Sequence, residues 1–387
     1  MSSPGPVLAL VPSPIDHLLL LVGSFVLLLA GAELFTNGVE WLGHRLGISE
    51  SATGSVLAAV GTALPETMIP LIAIVRVTTG SGSQAAADEV GVGAILGAPF
   101  MLATIAMFLV GSSVLYFRNR RQSGAEMRFD AASTRRDLAF FLVGYTLAFV
   151  AALVHAESVS LLIGGGLVVL YVVYVYRSLK TEGLIDDEGL DALHLGAAVE
   201  RAARPVPVVG SSRSHADDPH GLLVLAQALV ALGVIVVGAH VFVGEVQWVS
   251  REVLQVPAAV VALLLAPLAT ELPEKFNSVI WISRGSDTLA LGNITGAMAF
   301  QGTLPVTLGI VFTSWNLTLQ WGTAGFLNAF SVVLALVGGA ILYLRARNAD
   351  DGSMSPRPFL LGGLLYALFF VVLLYHVVAF DLAVAGH

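Results

Sequence analysis

Two short stretches put a carboxylate directly behind a proline inside apolar runs: GTALPE at 61–66 and ATELPE at 269–274. Proline lacks an amide hydrogen and clashes with the turn before it, so it interrupts a helix. Carbonyls freed in apolar surroundings must find protein, water or an ion. Just past the interruption, proline suits the first turn of a new helix. Glu66 and Glu274 then open half-helices at mid-depth, with the hydroxyls of Thr62 and Thr270 four residues earlier. Carboxylate, hydroxyl and carbonyl oxygens together are the ligands of a hard cation. A charge at the bilayer centre costs roughly 2.5–3.5 kcal/mol, so such residues persist when paired or functional. The plainer alternative is two protonated or hydrogen-bonded glutamates beside packing kinks, and the recurrence of the pair argues against it.

The elements that position these residues are membrane spans. The chain has 387 residues, 56% hydrophobic and 12% charged, where soluble domains carry about 25% charged residues. Apolar runs long enough to cross a bilayer fall at 16–43, 50–76, 89–117, 137–155, 158–177, 221–244, 253–282, 288–314, 322–344 and 358–380. This predicts an all-α polytopic membrane protein of ten transmembrane helices. The N-terminal segment lacks the basic region of a cleaved signal, so the first span is expected to be retained. With the N-terminus and C-terminus outside, sixteen Lys and Arg residues fall in inside loops and only Arg76 and Arg251 outside, Lys275 lying within a span. That asymmetry fixes orientation and fits a prokaryotic cytoplasmic membrane. The lipid bilayer and inorganic cations are the expected partners. The scattered basic residues offer no nucleic-acid face, and the absence of cysteine removes disulfides, thiolate metal sites and thiol nucleophiles.

The halves resemble each other. GAELFTNGVEW (31–41) parallels GAHVFVGEVQW (238–248), TALPE (62–66) lies over TELPE (270–274), and GAILGA (93–98) over GNITGA (292–297). The matched segments start on opposite sides of the membrane. Similar units of opposite topology are a signature of secondary transporters, with interrupted spans marking the binding site. The expected organisation is a first repeat at 16–177 (helices 1–5), a cytoplasmic linker at 178–220 and a second repeat at 221–380 (helices 6–10).

These motifs resemble the two alpha-repeats of the sodium/calcium exchanger superfamily of cation antiporters, over 31–102 and 238–309, about 40% of the chain. The resemblance implies two inverted five-helix repeats, central cation sites and alternating access, with transported ions (Ca2+, Na+ or H+) and no cofactor. It puts the two acidic ion ligands on Glu66 and Glu274 and the signature threonines on Thr62 and Thr270. The chain departs from the pattern at Ala63 and Glu271, at Ala98 and Ala297, and at Leu102 and Gln301, so several expected oxygen ligands are missing. The remaining set adds Glu271, Gln301 and Asn293 to the Pro-Glu pairs.

Glu271 and Lys275 are i, i+4, the favourable order for an ion pair on a helix, though Pro273 lies between them. They read either as a self-neutralising pair, or with Lys275 standing in for one bound cation and Glu271 or Glu274 exchanging protons. Glu33 and Glu40, seven apart on one face of the first helix, are expected to line its inner side. His240 matches Glu33 and reads as a hydrogen-bonded packing histidine, a proton carrier being the alternative. Asp88 with Glu89 stands at the outer mouth, attracting cations or forming a plain interface. The 178–220 loop, with His194, His215, His220 and several acidic residues, reads as a solvated linker, a regulatory metal site being the alternative. The leading reading is a secondary cation antiporter moving Ca2+ against Na+ or H+, followed by a monovalent cation/proton antiporter and then a channel or sensor. An intramembrane hydrolase lacks a visible nucleophile motif or a pair of intramembrane aspartates.

Overall fold

The structure is a computed structural model that describes residues 13–45, 64–80, 83–154, 156–181, 193–194, 221–349 and 352–380. It is built from helices α1 (Pro14–Arg45), α2 (Leu64–Thr78), α3 (Gln84–Met101), α4 (Met107–Phe117), α5 (Ala131–Leu153), α6 (Glu157–Thr181) and α7 (Gly221–Trp248) in the first part. Then follow α8 (Ala258–Thr270), α9 (Leu272–Arg284), α10 (Asp287–Gln301), α11 (Leu304–Phe312), α12 (Ala324–Arg347) and α13 (Arg357–Ala379). A π turn at Leu102–Ala106 joins α3 to α4, and another at Val249–Leu254 extends α7. The one sheet among the described residues is two strands, β1 (Met127–Arg128) and β2 (Ser353–Met354), paired antiparallel.

Among the described residues, eight helical stretches are long and apolar enough to cross a membrane. The expected spans missing from that set are the two carrying the Pro-Glu pairs. Residues 46–63 lie outside the described residues, and the run at 253–282 is divided into α8 and α9 at Glu271. An interrupted span is what two prolines six residues apart dictate.

The spans are not equally central. Asp88–Phe117 is 83% buried and Asp287–Phe312 is 72% buried, against 28% for Pro14–Gly38, 22% for Arg357–Ala379 and 17% for Glu157–Ser178. The two glycine-rich motifs therefore sit on the innermost helices, while α1, α6 and α13 turn apolar faces outward, as lipid as solvent permits.

Close packing of this core depends on glycine. A Cβ on Gly93 would collide with the carbonyl oxygen of Ala259, and one on Gly97 with that of Leu263 and, at 2.7 Å, with Pro267 Cγ. Small residues four apart allow two helices to approach at backbone distance. The contacts 93 to 259 and 97 to 263 advance together, so α3 and α8 run parallel. By contrast, α1 and α7 run antiparallel: His17 meets Glu245, Phe25 meets Phe242, Gly31 meets Ile235 and Gly38 meets Ala228.

The ends are fastened by polar groups. Glu89 accepts the Ala258 amide at 3.2 Å at the start of α8, and Asp88 holds Ser314 through its amide and hydroxyl at 3.2 and 2.6 Å. Both acids at the expected outer mouth thus have structural partners. At the opposite end, Arg121 and Asp287 form a two-pronged pair at 2.6 and 2.7 Å with both side chains fully buried. Arg121 also donates to the Ile282, Gly124 and Glu126 carbonyls, and Asp287 accepts the Arg128 amide. A buried pair tolerates desolvation only when its remaining donors and acceptors are met this fully.

Overpacking a tight contact costs about 1–3 kcal/mol. Gly97→Val is expected to lower the apparent melting temperature of the detergent-solubilised protein, read by size-exclusion chromatography after heating. Gly166→Ala, at an exposed position on α6 with nothing within 4 Å of the added carbon, is expected to leave it unchanged.

Candidate functional site

The site forms where α8 gives way to α9. Pro267 has no amide to offer Leu263, and Pro273 has none to offer Ala269, so two carbonyls lose their helical donors within one span. The Leu263 carbonyl is the one Gly97 lies against. Glu271 sits between the helices with φ −96° and ψ 7°. Its amide still donates to Pro267 at 3.1 Å and its carbonyl accepts the Lys275 amide at 3.2 Å, so the chain axis carries through the interruption.

The Lys275 side chain folds back onto this point. Its ammonium donates to Glu271 Oε2 at 2.9 Å and to the Pro267 carbonyl at 3.4 Å, and lies 3.5 Å from Met101 Sδ on α3. Glu271 is 0% exposed and Lys275 4%. The i, i+4 pair expected from spacing is closed despite Pro273, because Glu271 carries the helical hydrogen bonds across the interruption. Gln301, the last residue of α10, is buried beside Glu271. Neither Glu271 Oε1 nor Gln301 Oε1 has a hydrogen-bond partner among the described residues. Thr270 is buried one residue before Glu271, and its hydroxyl donates to the Ala266 carbonyl at 3.0 Å, leaving its lone pairs available.

The other expected residues distribute around this centre. Glu66 is buried in the first turn of α2, a helix that packs against α3 and α8. Thr62 lies outside the described residues, as does the Glu274 side chain, although Glu274 falls within α9. Asn293 donates to Ser278 Oγ at 3.5 Å, tying α10 to α9. Leu102, fully buried, opens the π turn after α3. Two expectations change. Glu33 is exposed and meets His194 of the long loop at 3.3 Å instead of lining the interior, and His240 is exposed, its carbonyl taking Arg76 at 3.2 Å. Leu193 of that loop packs on Trp41 and Val224, while His215 and His220 lie outside the described residues. No group of three His, Asp or Glu able to hold a metal occurs among the described residues.

Sequence reading missed Asp137. It lies at the start of α5, 2% exposed, accepting from Thr295 Oγ1 at 2.8 Å and from Arg136 at 3.2 Å. Thr295 belongs to the GNITGA motif, so this carboxylate anchors an innermost helix to α5. Asp137 and Asp287 are both buried aspartates at span ends, where a hydropathy scan treats charge as loop. Each is engaged by an arginine and they sit on different networks, which is not the facing pair a protease needs.

A span interrupted at Glu271, a buried acidic centre and, among the described residues, eight apolar spans define an integral, multi-pass membrane transporter. The family described as sodium/calcium exchanger protein matches residues 17–180 and 223–379, and the chain belongs to that family of cation/calcium antiporters. It is 24% identical over 361 residues to a provisionally named antiporter, CaxA, of Alkalimonas amylolytica, covering 90% of this chain and 97% of that one. An uncharacterized membrane protein of Methanocaldococcus jannaschii is 42% identical over 65 residues, a stretch covering 17% of this chain and only 22% of that protein's length. The fold is similar to a crystal structure of the H+/Ca2+ exchanger CAX, with TM-score 0.65 and 16% identity over 95% of this chain and 87% of that one. It is also similar to the sodium-calcium exchanger NCX_Mj, with TM-score 0.54 and 17% identity over 92% and 98%.

Removing one partner of a buried ion pair costs about 3–5 kcal/mol, whereas replacing both is often near neutral. Glu271→Gln and Lys275→Met are each expected to lower thermal stability markedly, and the double variant to recover most of the loss. Thermal melts of the four proteins check this, and strictly additive losses would mean that the pair is not coupled.

Proposed function

We propose that this antiporter moves Ca2+ in exchange for Na+ or H+ by alternating access, through a site made of Glu66, Glu274, Glu271, Gln301, Thr62 and Thr270, with Lys275 and Asn293 modulating it. The observation that carries the reading is the α8–α9 interruption. There a fully buried carboxylate, Glu271, and the buried amide Gln301 each carry a side-chain oxygen with no hydrogen-bond partner among the described residues, beside a span in which Pro267 withholds its amide from the Leu263 carbonyl. Oxygen atoms of mixed type in a dry, irregular setting suit Ca2+, which takes 6–8 of them in flexible geometry. Glu66 adds a buried carboxylate from α2, and Glu274 adds one from α9 by position in the sequence.

In this reading the chain has ten spans in two inverted five-helix units, 16–177 and 221–380, joined by a cytoplasmic linker at 178–220, with both termini outside. Supporting it, α1 and α7 carry matching motifs yet run antiparallel, and their contacts are reciprocal: Gly31 against Ile235, Gly238 against Leu28. Gly31 and Gly238 are matched positions of the repeat, and each meets the residue three before the other. The parallel run of α3 and α8 agrees with both entering from outside. The arginine-rich inner loops support a prokaryotic cytoplasmic membrane. CAX is an H+/Ca2+ exchanger and NCX_Mj a sodium-calcium exchanger, which supports H+ or Na+ as the counter-ion. A monovalent cation/proton antiporter is the second reading, favoured by the ammonium already seated on Glu271.

Reconstituted liposomes give the test. Uptake of 45Ca2+ driven by an outward Na+ or H+ gradient, reduced at least tenfold in both Glu66→Gln and Glu274→Gln, is the expected result. No Ca2+ uptake under either gradient, with Na+/H+ exchange present, would replace this reading by the second.

A further inference from the structure

We propose that Lys275 is a tethered cation occupying one subsite of the transport site, so that the protein completes its cycle with one fewer monovalent ion drawn from solution. The inference rests on the transport reading above and specifies which ions the site takes. The ammonium does not merely approach a carboxylate. It sits on Glu271 Oε2 at 2.9 Å and on the Pro267 carbonyl at 3.4 Å, within the interruption. One carboxylate oxygen with one carbonyl at a broken helix is the ligand type a membrane transporter offers a sodium ion. The nitrogen thus stands where a monovalent ion would find its oxygens.

The neighbouring atoms support division of the site. Met101 Sδ borders the ammonium on the α3 side, and a thioether is a weak acceptor. Lys275 therefore directs its strong hydrogen bond to Glu271. The opposite side of the same carboxylate is different: Glu271 Oε1 is buried beside the Gln301 side chain, and neither it nor Gln301 Oε1 has a hydrogen-bond partner within normal distance among the described residues. One oxygen of Glu271 serves the tethered ammonium and the other is left for cargo. A fixed positive charge here also removes the need to neutralise Glu271 from solution while the site is empty of Ca2+. A buried carboxylate left bare would be costly, and an ammonium on a four-carbon stem meets that need in every state of the cycle.

The chain has no cysteine, which allows one variant to test the idea in both directions. Lys275→Cys removes the ammonium and opens the subsite. Alkylation of the purified variant with 2-bromoethylamine restores an ammonium on a side chain of the same length as lysine. Melting curves are measured in NaCl, LiCl and choline chloride at constant ionic strength. The unmodified variant is expected to be stabilised saturably by Na+ or Li+ over choline, by on the order of 5 °C at saturation. Wild type and the alkylated variant are expected to show a smaller shift, lacking the contribution of this one subsite. If the cysteine variant cannot be purified folded, Lys275→Gln, which keeps a neutral donor to Glu271, takes its place. An equal response of the neutral variant and wild type to Na+ and Li+, whether zero or not, would overturn the proposal and make the lysine a packing partner only. These melts need no flux, so their result is separate from failure of the Ca2+ antiport reading, which the liposome experiment on wild type decides. In liposomes, the Hill coefficient for the monovalent driving ion is expected to rise by about one in the neutral variant.

Discussion

The structure turns on two backbone carbonyls that proline deprives of their donors inside a desolvated helix. In water this would cost little. In the interior of a membrane protein each such group needs a partner or a close polar contact. The surrounding features follow from that constraint. Gly97 lacks a Cβ because α3 must come to backbone distance from the Leu263 carbonyl, and Gly93 repeats the arrangement one turn earlier at Ala259. Lys275 reaches back to Glu271, and touches the Pro267 carbonyl, which keeps its helical donor, so the lysine answers the buried acid and not a freed carbonyl. Glu271 remains in the interior because Lys275 offsets its charge.

The burial pattern follows from the same centre. The helices that must approach the interruption closely, α3 and α10, are the most enclosed, and the outer helices carry the apolar surface that lipid accepts. Fastenings lie at the ends of spans, away from the centre: Asp88 and Glu89 at one end, Arg121 with Asp287 at the other. Charge-assisted bonds gather where loops turn, and the middle, apart from the Lys275–Glu271 pair, keeps side-chain oxygens without partners among the described residues. That distribution suits a protein whose central groups exchange partners while the helix ends keep theirs.

Much of this was legible in the sequence because proline and glycine act locally. The interruption between Pro267 and Pro273 and the Glu271–Lys275 spacing both follow from residue chemistry within a few positions. Whether the pair closes was not legible, since it depends on Glu271 carrying the helical hydrogen bonds across the gap. Other features depend on contacts far apart in the chain. Arg121 and Asp287 are separated by 166 residues. Asp137 sits at a span end, where composition cannot tell a loop acid from one folded inward onto Thr295. Glu33 and His240 misled for the opposite reason: a polar residue on a helix invites an inward reading, and both in fact face outward. The π turn at Leu102 marks no residue type that sequence could flag.

Charge at the centre links the lysine to the choice of cargo. On the proposed site, Glu66, Glu271 and Glu274 with Lys275 sum to a formal charge of −2 when all are ionised. One Ca2+ neutralises that set. Without the lysine the same set would be −3, and a single Ca2+ would leave an unbalanced carboxylate in the interior, which is expensive. A second, monovalent ion would then be needed beside the first. The ammonium thus makes a three-carboxylate centre suitable for one divalent ion at a time. It also accounts for how a chain with Ala98, Ala297 and Leu102 at positions where the family places oxygens can still function. Those missing oxygens would serve further monovalent ions, and a site that holds its own cation has less use for them.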